Sequence, residues 1–146
     1  MKKSFFWLVV IVIGTLTLVS CEHEENVNSM VEKVWTFSQS HPEGFTVDVR
    51  TMMMPTKGIA VSYAATQGSH SRESLTFVVE HALKHDGYVG GWLDGESGLY
   101  YFDSTKIFPE DQLEEALEFA RENGQIAVYI ISTGEEIRVD EIRMAA

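Results

Sequence analysis

The feature that most constrains this chain is an alternation of two periodicities along residues 29–139. Segments whose apolar residues recur every three or four positions alternate with segments whose apolar residues recur every second position. The first kind buries one stripe of a helix, the second one face of a strand.

The first helical segment is expected at about 29–40. Val31, Val34, Trp35 and Ser38 lie on one face, Ser29 and Glu32 have capping-box spacing, and His41-Pro42 ends the run. Gly44 to Arg50 alternates, with Phe45, Val47 and Val49 on one side. After a turn containing Pro55 and Gly58, Ile59 to Ala65 reads as its partner strand. Ser71 can cap a second helix over 72–85 with Leu75, Val78, Val79, Ala82 and Leu83 as its stripe, stopped by Gly87. Tyr88 to Asp94 and Leu99 to Phe108 form a hairpin around Asp94-Gly95-Glu96-Ser97-Gly98. Pro109 opens a third helix carrying Leu113, Ala116, Leu117 and Ala120, ended by Asn123-Gly124. Ile126 to Ser132 and Glu135 to Val139 make the last strand pair. The reading is thus one α+β domain: a mostly antiparallel sheet of three hairpins packed against three helices. The order is threefold, yet no residue-level repeat underlies it.

Composition sets limits on function. Hydrophobic residues make up 45% and charged residues 23%, which suits a chain with a packed core. The formal net charge is −11, and a surface this acidic repels phosphate backbones, so no nucleic-acid partner is expected. The single cysteine, Cys21, excludes an internal disulfide.

Cys21 has a context of its own. Lys2 and Lys3 precede an apolar run from Phe5 to Leu18, too short to span a bilayer and of normal length for an export signal. The run ends Leu18-Val19-Ser20-Cys21, which resembles the lipobox of bacterial type II signal peptides. The resemblance implies cleavage before Cys21 and acylation of that residue, with palmitate-class chains anchoring the protein in a bilayer. The expected organisation is a signal peptide over 1–20, a lipidated tether over 21–28 and one domain over 29–146. Glu22-His23-Glu24-Glu25 resembles the acidic tether of Bacteroidetes lipoproteins carried to the outer face of the outer membrane, which implies an envelope location and surface display. The stretch from Gly44 to Val139 also resembles small domains, of no assigned activity, that recur in Bacteroidetes lipoproteins, plasmids and phages. The resemblance rests on Gly44-Phe45-Thr46-Val47, Gly90-Gly91-Trp92-Leu93-Asp94, Gly98-Leu99-Tyr100-Tyr101-Phe102-Asp103 and Asn123-Gly124-Gln125-Ile126-Ala127-Val128-Tyr129. It implies the order of elements and no cofactor or catalytic set.

Four groups of residues carry candidate chemistry. His81 and His85 are one helical turn apart, a spacing that can hold one metal ion with Asp86 or His70 in support, and equally that of solvated histidines at a helix end. Asp94, Glu96 and Asp103 can serve acid–base chemistry if burial separates their pKa values, or simply furnish a turn. Met52-Met53-Met54 offers thioethers, but consecutive extended residues point to opposite faces, which suits packing better than one shared copper ion. Trp92, Tyr100, Tyr101 and Phe102 form the aromatic centre of the chain, beside a Gly90-Gly91 pair that strand propensity does not explain. A bulge, a close approach or a binding site accounts for such glycines. No phosphate-binding loop and no nucleophile elbow is present.

The expectation is a membrane-anchored lipoprotein that acts as a non-catalytic interaction or binding module, without a cofactor and with no metal site assigned. Its partners are the bilayer, through acylated Cys21, and a protein. Binding is assigned to Trp92, Asp94 and Tyr101. The alternatives are an envelope hydrolase using Asp94 and Asp103 or His81 and His85, and a carrier of a small ligand or metal.

Overall fold

The computed structural model describes residues 26–140. The expected leader, Cys21 and most of the tether lie outside the described residues.

A helix, α1, is already formed at residue 26 and runs to 39. It starts ahead of the expected cap at Ser29 because Val27 belongs to the core, 3% exposed, on the same stripe as Val31 and Val34. Glu32, expected to cap the helix, pairs instead with Arg72 at the start of the second helix. The strands that follow are β1 (Phe45–Asp48) and β2 (Ile59–Ser62), then a short 3-10 turn at Ala64–Thr66. Helix α2 (Arg72–Lys84) opens on a reciprocal cap. The Ser71 hydroxyl accepts from the Ser74 amide, and Ser74 Oγ accepts from the Ser71 amide. The remaining elements are β3 (Tyr88–Leu93), β4 (Tyr100–Phe108), α3 (Leu113–Glu122), β5 (Ala127–Ile130) and β6 (Glu135–Arg138). Helix α3 begins four residues beyond Pro109, because Pro109 to Gln112 closes a separate turn.

The fold is α+β. Six antiparallel strands lie in the order β1-β3-β4-β2-β5-β6. The pairs β3–β4 and β5–β6 are hairpins. The first pair is split, since β3 and β4 sit between β1 and β2. Ten residues, 49–58, connect β1 to β2, and at about 4.8 Å per strand spacing they readily bridge the two intervening strands. The Asp48 carboxylate turns the chain at the start of this link by accepting from the amides of Arg50 and Thr51. From β2 to β5 the chain follows the split β-α-β, ferredoxin-like plan, with β1 and β6 added at the two edges.

All three helices cover one face of the sheet. Helices α1 and α2 pack with Phe45, Val47, Val89 and Phe102; α3 packs with Ile59, Val61, Phe108 and Val128. Each fully buried aliphatic or aromatic side chain here contributes about 1.5–3 kcal/mol. The core therefore has two lobes that meet along β4, where Ser104 is fully buried. No helix among the described residues is long and apolar enough to cross a membrane.

Candidate functional site

The other face of the sheet has no helix over it. The register places Thr46 and Asp48 of β1, Tyr88, Gly90 and Trp92 of β3, and Tyr101, Asp103 and Thr105 of β4 on this side. Strand alternation explains the division of the aromatic centre. Tyr100 and Phe102 point into the core, while Tyr101 points out beside Trp92. The Trp92 and Tyr101 rings stack with 5.3 Å between centroids and 22° between planes. His70 extends this row, 5.8 Å from Tyr101. Trp92 keeps 48% of its surface exposed, which is large for an aromatic residue in a strand interior.

The two glycines have different reasons. No bulge is present, because β3 and β4 stay in unbroken register from Tyr88 to Leu93. At Gly91, on the helix side, a Cβ would lie 2.8 Å from the Phe45 and Tyr100 rings, which stack across it. The core thus demands that glycine. At Gly90, on the uncovered side, a Cβ would meet Thr105 Oγ1 at 3.0 Å. Its register partners are Thr46 and Asp103.

Asp103 lies across from Gly90 on β4. Its Oδ1 is shut off from solvent and has no hydrogen-bond partner. Burial pushes the carboxyl up to about 6, and no cation beside it offsets that effect. Asp94 differs. Its carboxylate accepts from the amides of Glu96 and Ser97 and from the Ser97 hydroxyl, and these bonds hold it below the usual carboxylate range. It staples its own turn, which directly follows the end of β3.

His81 and His85 lie on the opposite, helix-covered side. Their rings stack at 3.9 Å, and Tyr63 meets both at 5.0 Å. His81 Nδ1 is 3.0 Å from Ser104 Oγ; His85 Nδ1 is 2.7 Å from the His81 carbonyl. Burial, then the proximity of His85 and Lys84, pushes His81 below the ordinary histidine value. Tyr63 donates to Asp86 at 2.5 Å; burial, then Asp86, raises the phenol. The serine–histidine contact has the atoms of a nucleophile and its base, yet no substrate reaches a fully buried Ser104. His70 is on the far face with Tyr101, so it does not join His81 and His85 in one ligand set. Among the described residues no group of three His, Cys, Asp or Glu side chains is placed to hold a metal. The structure likewise keeps Asp103 and the His81–His85 pair on opposite sides of the sheet, so they share no cleft.

The methionines diverge, but not by strand alternation, since Met52 closes a turn with a left-handed φ of 57°. Met52 packs against the core, with Met53 and Met54 exposed. Tyr63 and Ser104 are the participants that the sequence did not single out. Neither has a spacing to a neighbour that marks it, because each contact closes through the sheet order rather than along a helix or a strand.

Comparison of the chain with protein-family models, with curated proteins and with solved structures finds no match in any of the three.

Proposed function

We propose that this chain is a lipid-anchored, non-catalytic binding module of a bacterial envelope, held by an acylated Cys21 and binding through the uncovered face of its sheet. The Trp92–Tyr101 stack carries the reading. Two large rings stand together, one of them half exposed, on the side that no helix covers. Aromatic residues of this kind anchor recognition because they bury much area at little conformational cost. The Lys2-Lys3 start, the short apolar run and Leu18-Val19-Ser20-Cys21 support the anchor. The acidic residues directly after Cys21 support placement on the outer membrane with the domain facing outwards. The binding residues are Trp92 and Tyr101, with Asp94 shaping the turn beside them.

The test is capture of partners in the native cells after mild crosslinking. A partner recovered with the wild type, and lost with both Cys21→Ala and Trp92→Ala, supports the reading. Equal recovery with all three forms overturns it. Incorporation of an alkyne-tagged fatty acid into the wild type and not into Cys21→Ala checks the anchor separately. Protease treatment of intact cells checks the surface location: survival of the protein while a surface marker is digested would place it inside.

A further inference from the structure

We propose that β6 pairs edge to edge with β6 of a second copy of this chain, antiparallel and about a two-fold axis at Ile137, so that the sheet continues across the dimer. The surface is distinct from the Trp92 face and the inference does not depend on that face being a binding site.

The two edges of the sheet are finished differently. At β1, turns fold back over the edge. The Asp48 amide donates to the Met53 carbonyl, the Asp48 carbonyl accepts from Met52, and the Gly44 amide donates to the His41 carbonyl. At β6, no further strand follows among the described residues. The Val139 amide donates to the Ile126 carbonyl, which fixes the phase of the β5–β6 ladder. Glu135, Ile137 and Val139 turn their main-chain groups to β5, while Glu136 and Arg138 turn theirs outwards.

The side chains select the partner. Glu136, opposite Tyr129, lies on the open face with Arg138. Ile137, opposite Val128, lies on the helix face and packs against the second lobe of the core. In an antiparallel pair of identical strands, a register centred on Glu136 sets two glutamates against each other, and one centred on Arg138 sets two arginines. Like charges directly opposite are destabilising. A register shifted by a single residue sets helix-face side chains against open-face ones. Centred on Ile137, Glu136 of each copy faces Arg138 of the other, on both sides of an Ile137–Ile137 contact. The outward main-chain groups then belong to the facing Glu136–Arg138 pairs, which exchange both hydrogen bonds. The edge is complementary to itself in this register, as a two-fold interface requires. The ion pair of Arg138 with Asp140 is exposed on both sides, the kind that contributes least, so it does not hold Arg138 away from a second carboxylate.

The axis stands perpendicular to the sheet. Both helical layers therefore lie on one side and both Trp92–Tyr101 stacks on the other, so the dimer presents its two open faces in one direction.

The experiment is cysteine crosslinking of the full chain in its native membranes under mild oxidation, with sedimentation of the full chain in neutral detergent beside it. In this register Ile137 forms a non-hydrogen-bonded pair with about 4.5 Å between Cα atoms, within the roughly 4.4–6.8 Å that a disulfide bridges. Ile137→Cys should give a linked dimer in at least tenfold greater yield than Glu96→Cys on the exposed β3–β4 turn, after subtraction of any linkage that the wild type forms through Cys21. In sedimentation, Glu136→Arg and Arg138→Glu should each weaken dimerisation at least tenfold. The chain carrying both substitutions should recover to within threefold of the wild type, because the exchange restores both pairs. The wild-type measurement does not depend on how any variant folds. A wild type that stays monomeric up to the millimolar range, equal crosslinking of Ile137→Cys and Glu96→Cys, or a double variant no better than the single ones would each overturn the proposal. Those outcomes remove the dimer alone. The anchored binding module fails separately, if partner capture is indifferent to Cys21→Ala and Trp92→Ala.

Discussion

Trp92 and Tyr101 stand opposite each other across β3 and β4 and stack on the side of the sheet that no helix covers. A cross-strand aromatic pair of this geometry contributes about 0.5–1.5 kcal/mol beyond the area it buries. A double-mutant cycle with Trp92→Ala and Tyr101→Ala, followed by urea denaturation, should therefore give a coupling in that range. Each single variant should remain folded, because the core on the opposite face keeps all its contacts. A coupling near zero would mean that the rings meet without supporting each other.

Gly91 and Gly90 are neighbours in sequence and opposites in consequence. Gly91→Ala drives a methyl to 2.8 Å from the Phe45 and Tyr100 rings, both held in the core. The expected loss is about 1–3 kcal/mol, the usual cost of overpacking. Gly90→Ala meets the hydroxyl of buried Thr105 at 3.0 Å rather than two rings at 2.8 Å, so its cost should be smaller, about 1 kcal/mol. Denaturation midpoints of the two variants test the order. Equal losses would show that Phe45 and Tyr100 yield without cost.

The sequence made the helices and strands legible because the core is one-sided. Wherever a helix stripe or an alternating strand faces that core, the apolar spacing names the buried residues. Leu75, Val78, Val79 and Ala82 of α2 are one example, and Phe45 and Val47 of β1 another. The same alternation separated Tyr101 from Tyr100 and Phe102. Strand order was not legible, because the ten-residue link after β1 fits both a hairpin and a crossing. The contacts that depend on strand order escaped with it, above all His81 with Ser104 and Tyr63 with both histidines. Val27 was hidden by asparagines on either side, which make the start of α1 look like tether.

Val27 therefore belongs to the folded domain. Its side chain is buried with Val31 and Val34 against the first lobe of the core. Val27→Ala should cost about 2 kcal/mol, as for other buried aliphatic truncations. Asn28→Ala, at an exposed position of the same helix, should change stability by less than about 0.5 kcal/mol. Thermal or urea unfolding compares the two. No difference between them would place residue 27 outside the folded domain.

Asp103 gives a pH dependence with a definite sign. Its carboxyl titrates at about 6 when folded and near 3.8 when unfolded, because burial disfavours the charged form. The protonated group's contribution is complete below 3.8 and is lost as pH rises through about 6. The amount lost is on the order of 3 kcal/mol. His81 acts in the opposite direction. Its folded value is depressed, so stability present above the ordinary histidine range is lost as pH falls through the folded value. The wild-type profile mixes the two, but the difference between wild type and Asp103→Asn isolates the carboxyl, since His81 lies across the sheet and is common to both. Unfolding free energies measured from pH 4 to pH 8 should show Asp103→Asn gaining on the wild type between about pH 4 and pH 6.5, then running parallel to it. A constant difference across the range would mean that Asp103 titrates alike in the folded and unfolded chain, and its buried oxygen would then carry no electrostatic cost.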